Sequence, residues 1–343
     1  MNARSRILAL SGGVGGAKLA LGLDRMMPPG HLTVVANTGD DFVHLGLYIS
    51  PDVDTLLYTL AGMANPQTGW GRNEETWAFL ETLEALGGES WFRLGDKDLA
   101  VHVLRTTRRD AGLTLSRITA ELGARFGIAT SIVPMSDDPV RTEVRTAAGW
   151  LSFQHYFVKQ RCEPEVGGIR FEGASRAVPT EGVIDALNHP DLSAIVICPS
   201  NPFLSIDPIL AIPELRRRLA ESPSPVLAVS PVIAGRSVKG PTAKIMKELG
   251  LECSATAIAR HYRGIIDGMV IDDADAAQTD AIAALGIRVG VTNTLMQTLD
   301  DRIRLAGDVL RLAERCPRRR SVAGRSHLDA LDEVRNQRGD SGP

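Results

Sequence analysis

The run Leu10-Ser11-Gly12-Gly13-Val14-Gly15-Gly16-Ala17-Lys18 has the makings of an anion cradle. An apolar run at 7–10 precedes it and reads as a buried strand; helical spacing over 17–27 follows it. Backbone N–H groups of such a turn, with the positive end of the next helix, suit a phosphate. Two familiar phosphate motifs do not fit. A P-loop needs Gly before its Lys and Ser or Thr after it, where this chain has Ala17 and Leu19. The dinucleotide pattern G-x-G-x-x-G begun at Gly13 puts Lys18 at its last position. A plain tight turn is the alternative, but four glycines within residues 12–16 are more than a turn requires.

Acidic residues follow in two blocks. Asn37-Thr38-Gly39-Asp40-Asp41 ends an apolar run at 32–36, and Ser50-Pro51-Asp52-Val53-Asp54-Thr55 opens a helical pattern. Asp40, Asp41, Asp52 and Asp54 together could hold Mg²⁺, which takes one or two carboxylates plus substrate phosphates. Asp52 reads equally as a helix cap. Other polar loops come after apolar runs: Met135-Ser136-Asp137-Asp138-Pro139, Pro199-Ser200-Asn201-Pro202, and Ser230-Pro231 with Lys239 and Lys244 beyond it. Arg93, in Arg93-Leu94-Gly95-Asp96, can grip a phosphate with two donors. The histidines are scattered, with His44 nearest the acidic loop, and no G-x-S-x-G elbow is present. Trp77, Phe79 and Trp91 read as core residues.

The elements that must position these loops alternate. Strands are expected at 7–10, 32–36, 132–135, 194–198, 226–229, 268–271 and 287–290. Helices are expected at 17–27, 53–62, 74–86, 98–109, 114–126 and 298–316, with a hairpin over 143–158 turning at 147–149. The fold class is α/β: a Rossmann-like, mostly parallel sheet flanked by helices, with an inserted helical and β-hairpin region. Residues 1–316 form one composite unit, its core at about 5–50 and 175–316 and its insertion at about 51–174. Residues 317–343, with Arg318-Arg319-Arg320, read as a polar, loosely ordered tail.

Composition narrows the partners. The 343 residues carry 38 Lys and Arg against 41 Asp and Glu, a net charge of −3. That balance argues against nucleic acid or a membrane surface as partner. No apolar run is long enough to span a bilayer, and the start lacks the pattern of a signal peptide. Cys162, Cys198, Cys253 and Cys316 have no metal spacing and suit reduced thiols in a cytoplasm.

Taken in order, these blocks resemble the 2-phospho-L-lactate transferase family of deazaflavin (coenzyme F-420) biosynthesis. The matching segments are 11–18, 37–41, 50–55, Trp70-Gly71, 94–96, 134–139, 199–202 and Ser230-Pro231, spread over nearly the whole chain. Some members have Thr where this chain has Val14 and Glu where it has Asp40, while Lys18 and Asp41 keep the pattern. The resemblance implies a phosphotransferase that forms a phosphodiester. The ribityl hydroxyl of the deazaflavin alcohol Fo attacks a guanosine-diphosphate-linked acid, and GMP leaves. The acid is a 2-phospholactyl, phosphoenolpyruvyl or 3-phosphoglyceryl group. It implies Mg²⁺, held by Asp54, Asp41 and Asp40, and a homodimer. Asp54, Arg93 and Asp41 take the catalytic roles, and Ser136 and Asp137 join Asp54 and Arg93 at Fo. The nucleotide and its phosphates fall to Ser11, Gly12, Gly13, Gly15, Gly16, Lys18, Asn37, Thr38, Ser200, Asn201, Ser230 and Lys239. A nucleotide-dependent oxidoreductase and a non-catalytic nucleotide sensor are the alternatives. The Asp-rich second loop and the presence of both Asp54 and Arg93 count against them.

Overall fold

The computed structural model describes residues 4–316; the expected tail at 317–343 lies outside them. The strands in chain order are β1 (Arg6–Ser11), β2 (Leu32–Ala36), β3 (Phe42–His44), β4 (Leu47–Ile49), β5 (Ser131–Pro134), β6 (Arg141–Thr146), β7 (Gly149–Ser152), β8 (Gly168–Glu172), β9 (Leu192–Ile197), β10 (Val226–Val229), β11 (Val232–Ile233), β12 (Arg236–Ser237), β13 (Gly268–Ile271) and β14 (Arg288–Val291). Seven of them form one parallel sheet in the order β14-β13-β10-β9-β1-β2-β5. Chain direction across the sheet reverses between β1 and β9. Connections leave these two neighbours in opposite directions, so a crevice opens at their carboxyl ends.

Both faces of the sheet are covered, which explains why its strands read as near-continuous apolar runs. Along β1, Leu8 and Leu10 join one core cluster, while Ile7 and Ala9 join the other. Each residue is at most 1% exposed. The alternation follows from side chains pointing to opposite faces in turn.

Five helices matter for the site: α1 (Gly13–Met26), α2 (Pro51–Leu60), α3 (Ala78–Ala85), α4 (Asp96–Asp110) and α5 (Leu115–Arg125). The terminal helix Leu299–Arg315 packs along α1 and is capped by Thr298 and Asp301 exchanging hydrogen bonds. Gly22 sits where a side chain would strike the Arg302 carbonyl, which sets how closely these two helices approach.

Three features of the sheets differ from the sequence reading. β5, placed in the insertion, is the edge strand of the main sheet beside β2. The hairpin at 143–158 ends its second strand at Ser152, and β8 completes a three-stranded antiparallel sheet, β7-β6-β8. Residues 42–49 form a further hairpin, β3-β4, where none was expected.

Candidate active site

α1 begins at Gly13, four residues before the expected start, so Gly15 and Gly16 lie inside its first turn. Their lack of a side chain serves close packing. A Cβ on Gly15 would strike the Pro199 carbonyl, and one on Gly16 would strike the hydroxyls of Ser11 and Ser200. The loops after β1 and β9 are thus pressed together across the crevice. Two cradle donors already have partners: Gly12 N–H donates to Ser200 Oγ at 3.2 Å, and Gly13 N–H to Asp52 Oδ1 at 2.6 Å. The next N–H groups, of Val14 and Gly15, have no acceptor within the helix.

Asp52 is not the cap of α2. Its Oδ2 accepts from Asn37 Nδ2 at 2.9 Å, so it ties the helix to the glycine turn and the β2 loop. Asp40, Asp41 and Asp52 are all buried. Burial raises each carboxyl: Asp41 to about 7, Asp52 to about 6, and Asp40 well above the ordinary range. For Asp40 the Asp52 charge adds to burial, and Asn37 and Thr142 beside it offset only part. Asp41 is held by Tyr48 Oη–H and Ser50 Oγ–H, each at 2.8 Å.

These raised values set a pH dependence. An unfolded carboxylate titrates near 4. Between about pH 4 and 7 the folded chain therefore binds more protons than the unfolded one. The stabilisation is complete below the unfolded value and is lost as pH rises through 6 and 7. Metal-free protein should show a falling Tm from pH 5 to pH 8 in calorimetry; a rising Tm over that interval contradicts the cluster.

Several buried polar atoms in this crevice have no partner: Ser11 Oγ, Thr38 Oγ1, Asp40 Oδ1 and Asn201 Nδ2. Asn201 Oδ1 meanwhile caps the turn after it, accepting from Phe203 and Leu204 N–H. Buried polar groups are ordinarily satisfied, so four orphans in one crevice mark a place for a ligand. Beside it, Lys18 is half-buried, and its Nζ donates to the Met296 carbonyl at 3.0 Å. Burial, then the charges of Arg302 and Lys239, depress its basicity. Sequence reasoning named Lys18 and Lys239; Arg302 it missed. Lys239 hydrogen-bonds the Thr68 carbonyl, and a Cβ on Gly69 would meet both Lys239 and Val14, so this group stands over the start of α1.

Asp54 lies elsewhere. Two residues apart on a helix are about 200° apart around its axis. Asp52 meets the glycine turn, and Asp54 meets Arg105, a residue that sequence reasoning did not name. Arg105 is fully buried and bonds both Asp54 oxygens. It also lies 3.2 Å from His102 Nδ1. Asp98 completes the group, accepting from Tyr58 Oη at 2.5 Å. Asp54, Asp98 and His102 are close enough to share a metal ion. The Arg105 guanidinium already supplies the positive charge there, so this cluster does not suit a cation.

Other expected site residues have structural partners. Arg93 is exposed and stacks on Trp77 at 4.3 Å; no contact joins it to Asp54. Asp137 accepts from Ser116 N–H and Oγ–H at the start of α5, and Ser136 Oγ donates to the Val178 carbonyl. Ser230 Oγ closes its own turn onto Val232. Lys244, expected near the anion site, is taken by Glu248, Tyr156 and the Pro164 carbonyl. Trp77, Phe79 and Trp91 are not core: each is partly or largely exposed. Trp91 instead joins Phe42, His44, Phe92 and His155 in an aromatic group with centroid spacings of 4.9–6.1 Å.

Among the described residues the cysteines are unpaired, and no helix is long and apolar enough to cross a membrane. The sequence matches the family model described as 2-phospho-L-lactate transferase CofD over residues 7–293. It is 41% identical over 315 residues to a phosphoenolpyruvate transferase of Streptomyces griseus, covering 90% of this chain and 98% of that one. It is 41% identical over 313 residues to a 2-phospho-L-lactate transferase of Methanopyrus kandleri, again covering 90% and 98%. The fold resembles a UPF0052-family protein of Bacillus halodurans, with TM-score 0.60 at 16% identity, covering 90% of this chain and 99% of that one. With its parallel α/β sheet and its crevice between β1 and β9, the chain belongs to the 2-phospho-L-lactate transferase family and is a transferase enzyme.

Proposed function

We propose that this transferase acts in deazaflavin coenzyme F-420 biosynthesis. It moves a phosphorylated three-carbon acid, phosphoenolpyruvyl or 2-phospholactyl, from a guanosine-diphosphate-linked donor to the ribityl hydroxyl of Fo. The acceptor oxygen forms a bond to the phosphorus that carries the acid, the bond from that phosphorus to the GMP oxygen breaks, and GMP departs. The acceptor proton passes to a carboxylate of the cluster; Asp41, fixed by two hydroxyl donors, is the best oriented.

The observation that carries this reading is the convergence of orphan polar atoms and buried carboxylates at the sheet's reversal point. Phosphoryl transfer needs positioning and charge neutralisation more than covalent chemistry. The N–H groups at the start of α1, with Lys18, Lys239 and Arg302, suit the diphosphate. The aromatic group preceding Arg93 offers ring faces to a flat deazaflavin.

The residues fit Mg²⁺, though in a different set from that expected. Asp40 and Asp52 repel one another, and Asp40 Oδ1 is buried without a partner. Asp54 is already neutralised by Arg105. Asp40 and Asp52 would therefore hold the ion, which when bound would neutralise phosphate charge. Mg²⁺ should raise Tm more at pH 8 than at pH 5, because it replaces the protons lost over that interval; an equal shift at both pH values counts against this set.

Incubation with Fo, Mg²⁺ and each guanosylated donor in turn tests the whole reading. GMP and a phosphodiester of Fo, detected by mass spectrometry, are expected. No product with the phosphoenolpyruvyl, phospholactyl or phosphoglyceryl donor would sink it.

A further inference from the structure

The proposed donors share a feature that the crevice described so far does not serve. The phosphoenolpyruvyl and 2-phospholactyl groups each carry a carboxylate on the carbon that bears the phosphate. That carboxylate is ionised at neutral pH, and close to Asp40, Asp41 and Asp52 it meets like charges. It needs a cation of its own. Lys18, Lys239 and Arg302 stand at the start of α1, on the side of the diphosphate. Arg105 is taken by Asp54, and Arg93 is exposed and is not among the charges that act on Asp41.

Two arginines at Tyr48, the residue that holds Asp41, are left. Arg109 lies one turn beyond Arg105 on α4, and Arg141 opens β6. Both stand over the ring of Tyr48, with guanidinium carbons 4.0 and 5.8 Å from its centroid. The same Tyr48 donates its hydroxyl to Asp41. The ring is itself fixed, because Tyr48 N–H donates to Thr106 Oγ1 on α4 at 2.8 Å and β4 pairs with β3. Arg141 also donates to the Val140 carbonyl at 2.7 Å, which uses one of its five donors. Arg141 acts electrostatically on Asp41, and both arginines act on Tyr48. Both are half-buried, and neither has a carboxylate within ion-pair distance among the described residues. Two planar forks held on one ring are prepared for a planar anion with two oxygens.

We propose that Arg109 and Arg141, held at the ring of Tyr48, form the subsite for the carboxylate of the transferred acid. The proposal rests on the transferase reading above. It assigns recognition of the carboxylate to this pair, separately from recognition of the guanosine diphosphate at the glycine turn.

Equilibrium binding separates the two ideas. Enolpyruvyl-diphospho-5′-guanosine and a counterpart without the carboxylate, ethyl-diphospho-5′-guanosine, are titrated calorimetrically into the parent protein and into Arg109→Gln and Arg141→Gln. The parent should bind the carboxylated donor about 10-fold or more tightly than the ethyl compound, the size expected for a charged hydrogen-bonded contact. Each variant should lose most of that preference while binding GDP and the ethyl compound as the parent does. A parent without preference overturns the subsite. So do variants that keep the preference, or that weaken for both donors equally. A parent that shows the preference but forms no product with Fo upholds the subsite and overturns the transferase reading.

Discussion

Asp40→Asn gives a protein that is more heat-stable than its parent at pH 8 without metal, yet turns over about 100- to 1,000-fold more slowly, the usual loss when a group that handles transition-state charge is removed. The two effects share a cause. In the folded chain the Asp40 carboxylate is buried and faces Asp52, and both conditions disfavour its charge. An amide has no charge to desolvate and none to repel Asp52. Folding therefore improves, while the site loses half of the pair that would hold the metal. Such opposition is expected where a site stores destabilisation for use in function. Calorimetry of both proteins at pH 8 and pH 5, with product formation under saturating substrates, checks both halves. The Tm gain should shrink at pH 5, where the parent carboxyl is already protonated. Unchanged turnover removes Asp40 from the machinery; a lower Tm at pH 8 contradicts the electrostatics.

The second large effect concerns Arg105. Arg105→Leu should destabilise the fold by about 3–5 kcal/mol, because it leaves the Asp54 charge buried without a partner. That is a large share of a typical folding free energy of about 5–15 kcal/mol. Replacing both partners, Asp54→Leu with Arg105→Leu, should restore most of the loss, since an apolar pair has no charge to solvate. Denaturant midpoints of the two single variants and the double variant provide the cycle. If the double variant is no more stable than either single one, the pair is not the cause. Turnover of the refolded double variant then bears on chemistry. Its activity should vanish if the Asp54 carboxylate touches a substrate, and should persist in part if Asp54 only anchors α4 against α2.

Much of this was legible in the chain. β2, β10 and β13 coincide residue for residue with apolar runs, because strands buried on both faces must be apolar throughout. The hairpin β3-β4 carried no such signal. Its turn places Leu45 and Gly46 at positive φ, and leucine is not the residue that announces such a turn. Arg105 escaped notice because α4 is strongly polar and reads as a solvated helix. The clue was the spacing of Asp98, Val101, His102 and Arg105, one face of a helix, all turned toward α2 or the core. Asp52 and Asp54 were read as one pair because they are neighbours in sequence; helical geometry sends them to different sites. No periodicity distinguishes a carboxylate that faces a crevice from one that faces a buried arginine. That difference is decided by α4, more than forty residues away.

The hydrogen bond from Gly12 to Ser200 spans 188 residues of chain. At ordinary rates of translation, the glycine turn leaves the ribosome about 10–40 s before its partner loop exists. Throughout that interval the nascent chain carries the buried-carboxylate loops without the β9 loop that walls the crevice, so the crevice is completed only when the second half of the protein has been made.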